Sequence, residues 1–306
     1  MSVRSELLRL GLRLFLKRRG HGVDVSSWRR NMSKMERLVP RPPARVETIE
    51  VNAGRVTLQR VATRVSRPER HVLYLHGGAY VSGAPVYYRH FTWRIAESLG
   101  ANVWVLTYRL APEHPFPAAL DDALAGYFWL VENTPAARMI VVMGDSAGAG
   151  LTLSLLLKLR DCGKTLPDAA VAMSPWTDLA LTGPSLKSNA AADPMLNAAD
   201  LSELAGYYLG GADPRTPYAS PLYGDTAGLP PVMIQVGSDE ILRDDAVRMA
   251  EKLRADNPRS RLEVWRRMPH VWQLFVPLLP EARGAMAQIR TFISDVQSQP
   301  NNLAGR

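Results

Sequence analysis

A single cysteine, Cys162, stands among 306 residues. It excludes an intrachain disulfide and a cysteine-built metal site, and it fits a reducing compartment, so a cytoplasmic location is expected. No stretch approaches the roughly 18 apolar residues of a membrane span. Near the start, Leu7, Leu8, Leu10, Leu12, Leu14, Phe15 and Leu16 are broken up by Arg9 and Arg13. No small-residue cleavage site follows, and a signal peptide is not expected. The net charge is +8, yet the arginines are scattered. Without a basic run interleaved with aromatics, a nucleic-acid partner is not expected. No Gly-x-Gly-x-x-Gly or Walker loop has the right setting, and no nucleotide, metal or organic cofactor is expected. Internal repeats and low-complexity tracts are absent too. The length allows one large α/β domain or two small ones, and the composition is that of a globule with a sizeable core.

What the chain does contain is Met143-Gly144-Asp145-Ser146-Ala147-Gly148-Ala149-Gly150. An apolar run, 139–143, precedes it, and a stretch reading as a helix, 151–160, follows. Strand, Gly-x-Ser-x-Gly, helix is the setting of a nucleophile elbow, in which a strained turn projects a serine hydroxyl into a cleft. Glycine is needed on both sides because a Cβ there meets the neighbouring strand or helix. The helix also points its positive end at the same spot. Alone, the motif is weak, since glycine and serine are ordinary turn residues.

The remaining pattern supplies a context. Residues 3–18 have apolar positions at Val3, Leu7, Leu10 and Leu14 with arginines and Lys17 mostly elsewhere, an amphipathic helix. It reads as packed on the domain or as a lid, and it leaves room for weak contact with a membrane surface. A second helix is expected over 27–38. Segments 46–51 and 56–61 alternate around Asn52-Ala53-Gly54, a hairpin signal. Strands at 72–75, 101–107, 139–143, 169–173, 232–236 and 262–265 then alternate with helices at 87–99, 118–132, 151–160, 244–255 and 281–296. Residues 179–218 break the alternation and read as an insertion with a helical patch at 200–209. Such an order predicts one α/β domain over 1–306, with a mostly parallel central sheet of about eight strands and helices on both faces. Residues 1–40 and about 179–218 are expected to form a cap.

Sites in such sheets form at the carboxyl ends of strands. There stand His76-Gly77-Gly78-Ala79, Ser146, Asp239 and His270. The order Ser, Asp, His with a glycine-rich loop upstream is that of the α/β-hydrolase fold. The sequence resembles the hormone-sensitive lipase family of α/β-hydrolase esterases, bacterial family IV. The resemblance rests on His76-Gly77-Gly78-Ala79, Tyr108-Arg109-Leu110-Ala111-Pro112-Glu113, Gly144-Asp145-Ser146-Ala147-Gly148, Ser174-Pro175-Trp176-Thr177-Asp178, Gly237-Ser238-Asp239 and His270-Val271-Trp272. It spans about residues 45–295. One departure is Ala79, where the family usually has a third glycine.

The resemblance implies a serine carboxylesterase for short- to medium-chain acyl esters, working through an acyl-enzyme. Ser146 is the expected nucleophile, His270 its base and then the acid for the leaving alcohol. Asp239 is expected to orient His270 in competition with Glu240, Asp244 and Asp245, the last two being explained by capping of a helix start. Backbone N–H groups of Gly78, Ala79 and Ala147 are the expected oxyanion donors, with Gly77 shaping the loop. Tyr80, Tyr208 and Trp272, with Tyr207 and Phe275, are candidate pocket residues, though aromatics in apolar stretches are more often core. His76 reads as a brace for the oxyanion loop, and Asp145 resembles a residue that steadies neighbouring loops. His21, His71, His90 and His114 lack any ligand spacing and read as structural. The same machinery would open a lactone or cleave an amide. A binding protein of this fold would usually have lost the histidine, which is present. The expected partner is a small ester, and a homodimer stays open.

Overall fold

The computed structural model describes residues 2–15, 17 and 22–298; Leu16, Arg18 and His21 lie outside them. The strands are β1 (Glu47–Ala53), β2 (Val56–Ala62), β3 (Arg70–Leu75), β4 (Asn102–Thr107), β5 (Met139–Asp145), β6 (Ala169–Met173), β7 (Val232–Gly237) and β8 (Arg261–Trp265). They form one eight-stranded sheet in the order β1-β2-β4-β3-β5-β6-β7-β8. β1 and β2 form the antiparallel hairpin around Gly54, β2 runs antiparallel to β4, and every other pairing is parallel. The mostly parallel sheet of eight strands is therefore as expected. β3 to β7 read as nearly continuous apolar runs because helices cover both faces. Their residues are almost all buried, whereas β1 and β8, at the edges, are largely open.

One face carries α3 (Pro85–Leu99) and α9 (Pro280–Ser298), whose Phe91, Ile95, Ile289 and Phe292 pack on Val72, Tyr74, Val141 and Val171. The other carries α4 (Ala118–Asn133), α5 (Ala147–Asp161) and α8 (Arg243–Asp256). There Leu130, Leu151 and Leu155 share a core with Leu73 and Leu75, and Leu153, Met249 and Leu253 share one with Val232 and Ile234. α1 (Val3–Phe15), α2 (Val25–Met35), a short α6 (Ser185–Ser188) and α7 (Ala198–Leu209) complete the chain. Asn197 caps α7 by accepting from the Asp200 N–H at 2.8 Å, and Gly210 ends it at φ +57°.

Two expectations need correction. α5 begins at Ala147, four residues earlier than its expected start at Leu151. Gly148 and Gly150 are weak helix formers, but tertiary packing overrides propensity here. A Cβ on Gly150 would run into the Trp176 carbonyl oxygen. Asp244 and Asp245 do lie in the first turn of α8, yet no side chain caps that helix. Asp244 instead accepts from the Ser185 N–H at 2.7 Å, and Asp245 accepts from the Thr177 and Asp178 N–H groups, both at 2.9 Å. Both tie α8 to the segment that leaves β6.

Candidate active site

β5 lies in the middle of the sheet and delivers Ser146 at its carboxyl end. Ser146 has φ +54° and ψ −123°, a conformation that costs an L-residue about 1–3 kcal/mol and persists only where the surroundings impose it. Here the imposing contact is the approach of strand to helix. A Cβ at Gly144 would collide with the Gly148 carbonyl, and one at Gly148 with the Leu75 and His76 carbonyls. Ser146 N–H donates to the Met173 carbonyl at 2.8 Å, and its own carbonyl accepts from Ala149, Gly150 and Trp176 N–H groups at 3.1 to 3.2 Å. The turn is thus bonded to both neighbouring segments.

His270 reaches Ser146 from the loop after β8. Its Nε2 lies 2.8 Å from Ser146 Oγ. Its Nδ1 lies 2.7 Å from Glu240 Oε2. The residue expected against His270 was Asp239, and the structure corrects this. Asp239 turns away and pairs with Arg9 at 2.6 Å, while also accepting from Ser238 Oγ at 2.8 Å. The cause is the tight turn that follows β7. Glu240 N–H returns to the Gly237 carbonyl at 3.3 Å, so residue 240, one place beyond the expected one, faces back over the strand ends. The longer glutamate side chain then spans to the imidazole.

Glu240 is fully buried and held at both oxygens. Oε1 accepts from Gly237 N–H at 2.5 Å and from Ser174 Oγ at 2.8 Å. Ser174 Oγ also accepts from the Val271 N–H at 3.1 Å, linking the loops that carry Glu240 and His270. Ser174 and Val271 themselves sit at φ +48° and +51°, further strain gathered at this spot. Asn189 Nδ2 donates to the carbonyls of Ser238 and Glu240 at 3.0 and 2.8 Å, and Asp193 accepts from the Ile241 N–H at 2.9 Å. Segment 179–218 therefore braces the turn that carries Glu240. Sequence reading gave Ser174, Asn189 and Asp193 no role. Only Ser174 had a signal, its place in the Ser-Pro-Trp-Thr-Asp stretch after β6.

Burial alone would lower the His270 pKa. The hydrogen bond and charge of Glu240, with Asp193 and Asp145 behind it, more than offset that, and the value ends above the ordinary 6.5. Asp145 is pushed up to about 6 by burial, against the hydrogen bonds it accepts. Those come from Tyr74 Oη at 2.7 Å, Tyr88 Oη at 3.1 Å and the Gly77 N–H at 3.0 Å. Asp145 thus ties the loop after β3 to β3 itself and to α3. Burial lowers His76 to about 4, so its ring is neutral near pH 7. Its Nδ1 donates to the Gly77 carbonyl at 2.9 Å, and its ring stacks on Tyr108 at 4.2 Å between centroids.

The loop after β3 brings Gly77 beside Asp145 and His76 beside Gly148 near the start of α5, and Ala79 shares a core cluster with Ala147. Gly77 N–H is used by Asp145. The N–H groups of Gly78, Ala79 and Ala147 make no hydrogen bond with the described residues. Gly78 has φ +122°, where a Cβ would also strike the Ser82 carbonyl. Ala79 has φ +54°. An alanine in the left-handed region costs about 1–2 kcal/mol, which explains why glycine is usual there. Its backbone follows the loop regardless.

Tyr80 and Tyr208 stack at 3.6 Å between centroids, nearly parallel at 8°, and both belong to the core cluster that includes Ala147. Trp272 does not join them. The short 3₁₀ turn 272–275 places it on the opposite side of the sheet, beside Trp265 and α9, in a different core. Phe275 packs against that same core, and Tyr207 turns its hydroxyl to Glu203 at 2.9 Å. His71 accepts from Trp104 Nε1 at 3.1 Å, and His90 donates to the Leu274 carbonyl at 2.9 Å. Among the described residues, no group of three His, Cys, Asp or Glu could hold a metal ion, and no helix is long and apolar enough to cross a membrane.

A central-strand serine, a histidine bonded to it and a buried carboxylate behind the histidine, all at the carboxyl ends of parallel strands, define the class of α/β-hydrolase folds. A family profile described as alpha/beta hydrolase fold matches residues 72–274. The chain belongs to the hormone-sensitive lipase family of α/β hydrolases. It is 37% identical to the crystal structure of an esterase of the bacterial hormone-sensitive lipase family, with a TM-score of 0.89 over 97% of this chain and 99% of that one. An acetyl-hydrolase of Streptomyces hygroscopicus is 45% identical over 82% of this chain and 83% of its own length. An esterase of Acinetobacter venetianus strain RAG-1 is 32% identical over 87% of each.

Proposed function

We propose that the protein is a serine carboxylesterase that hydrolyses short- to medium-chain acyl esters through an acyl-enzyme on Ser146. The observation that carries this reading is the unbroken relay from Ser146 Oγ to His270 Nε2 at 2.8 Å and from His270 Nδ1 to Glu240 Oε2 at 2.7 Å. His270 takes the Ser146 proton as Oγ attacks the ester carbonyl, then returns it to the leaving alcohol. Water repeats the sequence in reverse on the acyl-enzyme. Glu240 holds the Nδ1–H tautomer and stabilises the imidazolium. The free N–H groups of Gly78, Ala79 and Ala147 receive the oxyanion, and a donor of this kind contributes about 3–4 kcal/mol to the transition state. The acetyl-hydrolase and esterase names of the relatives agree with this chemistry.

On this reading the stacked Tyr80–Tyr208 pair, which shares a core cluster with Ala79 and Ala147, walls the acyl side and favours short chains. The described residues of 1–40, with about 179–218, act as the cap. Arg29 fastens the first part through the carbonyls of Val81 and Ala111, both at 2.7 Å, and through Glu113 at 2.7 Å. A series of p-nitrophenyl esters from acetate to palmitate tests the reading. Turnover should be highest on the short members and lost at palmitate. Absence of turnover on every member would end it.

The acid limb of the pH profile has a definite sign. Only neutral His270 accepts the serine proton. Because its pKa is raised above 6.5, kcat/KM should fall through a midpoint above pH 6.5 as pH drops. Replacing Glu240 by glutamine removes the charge that raises it, and the midpoint should move down. A limb unchanged by Glu240→Gln would separate His270 from that limb.

A further inference from the structure

α1 presents two faces. Ser5 and Leu12 are buried and Leu8 half-buried on the side facing the protein. On the opposite side Val3, Leu7, Leu10 and Leu14 are 78%, 65%, 56% and 70% exposed. At 100° per residue these four fall within an arc of about 60°, a continuous aliphatic stripe turned to solvent. Arg4 and Arg13 stand about 90° to either side of it. Both are exposed. Arg4 extends along the Leu278 carbonyl at 3.4 Å, and Leu278 is itself 58% exposed. Arg13 has no ion pair with the described residues. The one acid of α1, Glu6, is engaged by Arg267 at 3.0 Å. On the Arg13 shoulder, Glu6, Arg9, Leu10, Arg13 and Arg267 line a cavity of about 180 Å³.

We infer that α1 is a docking helix for an anionic lipid bilayer. Val3, Leu7, Leu10 and Leu14 enter the boundary between headgroups and acyl chains, and Arg4 and Arg13 meet lipid phosphates along the stripe's shoulders. An aliphatic stripe bordered by arginines is the pattern that seats a helix in the plane of a membrane. Charge selects this occupant over a second copy of the chain. Two stripes face to face would set Arg4 and Arg13 of one copy among those of the other, in a protein of net charge +8. An anionic surface instead complements them.

The inner side of α1 is secured beside the catalytic loops, so docking brings the site to the membrane without reshaping α1. Arg9 pairs with Asp239 at 2.6 Å and donates to the Arg267 carbonyl at 2.7 Å. Just beyond α1, Lys17 Nζ donates to the carbonyls of Ala190 and Asp193 at 2.5 and 2.6 Å.

The test is flotation of the full chain with vesicles of phosphatidylcholine alone and of phosphatidylcholine mixed with phosphatidylglycerol. The wild-type protein should float with the anionic vesicles at least about tenfold more than with the neutral ones, and less as salt rises. Leu7→Gln with Leu10→Gln, and separately Arg4→Gln with Arg13→Gln, should each lower flotation about tenfold with no change in melting temperature. The proposal fails if the wild-type protein stays in the soluble fraction, or if both double variants float as it does. It also fails if sedimentation reveals a dimer that Leu7→Gln with Leu10→Gln dissociates while no vesicle binding occurs.

Discussion

Glu240→Gln should lower kcat about 10⁴-fold, whereas Asp239→Asn should leave it within about threefold of wild type. A loss of that size corresponds to about 5.5 kcal/mol of transition-state stabilisation. It is large because the amide can present its NH₂ to Nδ1 and favour the wrong tautomer, and because it removes the charge that stabilises the imidazolium. Glu240 is fully buried and bonded to Gly237, Ser174 and His270, so no solvent charge replaces it. Asp239 lies one residue away, but its carboxylate meets Arg9 at 2.6 Å and does not contact the imidazole. Its substitution should loosen the seat of α1 and leave the relay intact. Steady-state kinetics on p-nitrophenyl acetate distinguishes the two. The reverse ranking would restore Asp239 as the orienting acid and exclude the relay through Glu240.

Ser146→Ala should abolish turnover, by about 10⁶-fold in kcat, while the protein keeps its fold. The serine and histidine act as one unit, so neither contributes much without the other. The backbone of the elbow does not depend on the hydroxyl. It is held by the Met173 carbonyl and by the close approach of Gly144 to Gly148. Alanine accepts the same strained φ of +54° at the same cost as serine. Unchanged circular dichroism and melting temperature, with hydrolysis gone, is the expected pair of results. Residual activity near wild type would place the nucleophile elsewhere.

Most of the fold was legible because each element leaves a periodic or compositional mark. Continuous apolar runs marked β3 to β7, alternation around Gly54 marked the hairpin, and helical stretches separated the parallel strands. The start of α5 was obscured because Gly148 and Gly150 are chosen for close packing, against helix propensity. The pairing of Ser146 with His270 was legible for a related reason, since glycine spacing and strand-end position constrain Ser146, and His270 follows the last strand. The acid was not. Asp239 and Glu240 are adjacent carboxylates after the same strand, and the choice between them depends on which way a four-residue turn faces. That turn is set by Gly237, by Ser174 from the neighbouring strand end and by Asn189 from the insertion, all distant in sequence. Trp272 was misplaced in the same way, because its motif position says nothing of the 3₁₀ turn that swings it beneath α9. The exposed face of α1 left a mark in the sequence, but only coordinates distinguish a buried stripe from an open one.

The central claim is a covalent acyl group on Ser146, and the direct measurement is intact-protein mass spectrometry after rapid mixing with p-nitrophenyl acetate. A single acetyl adduct should form within the burst of p-nitrophenol release, map to the peptide containing Ser146 and be absent from Ser146→Ala. An adduct on another peptide, or one that persists in Ser146→Ala with the same burst, would contradict the account.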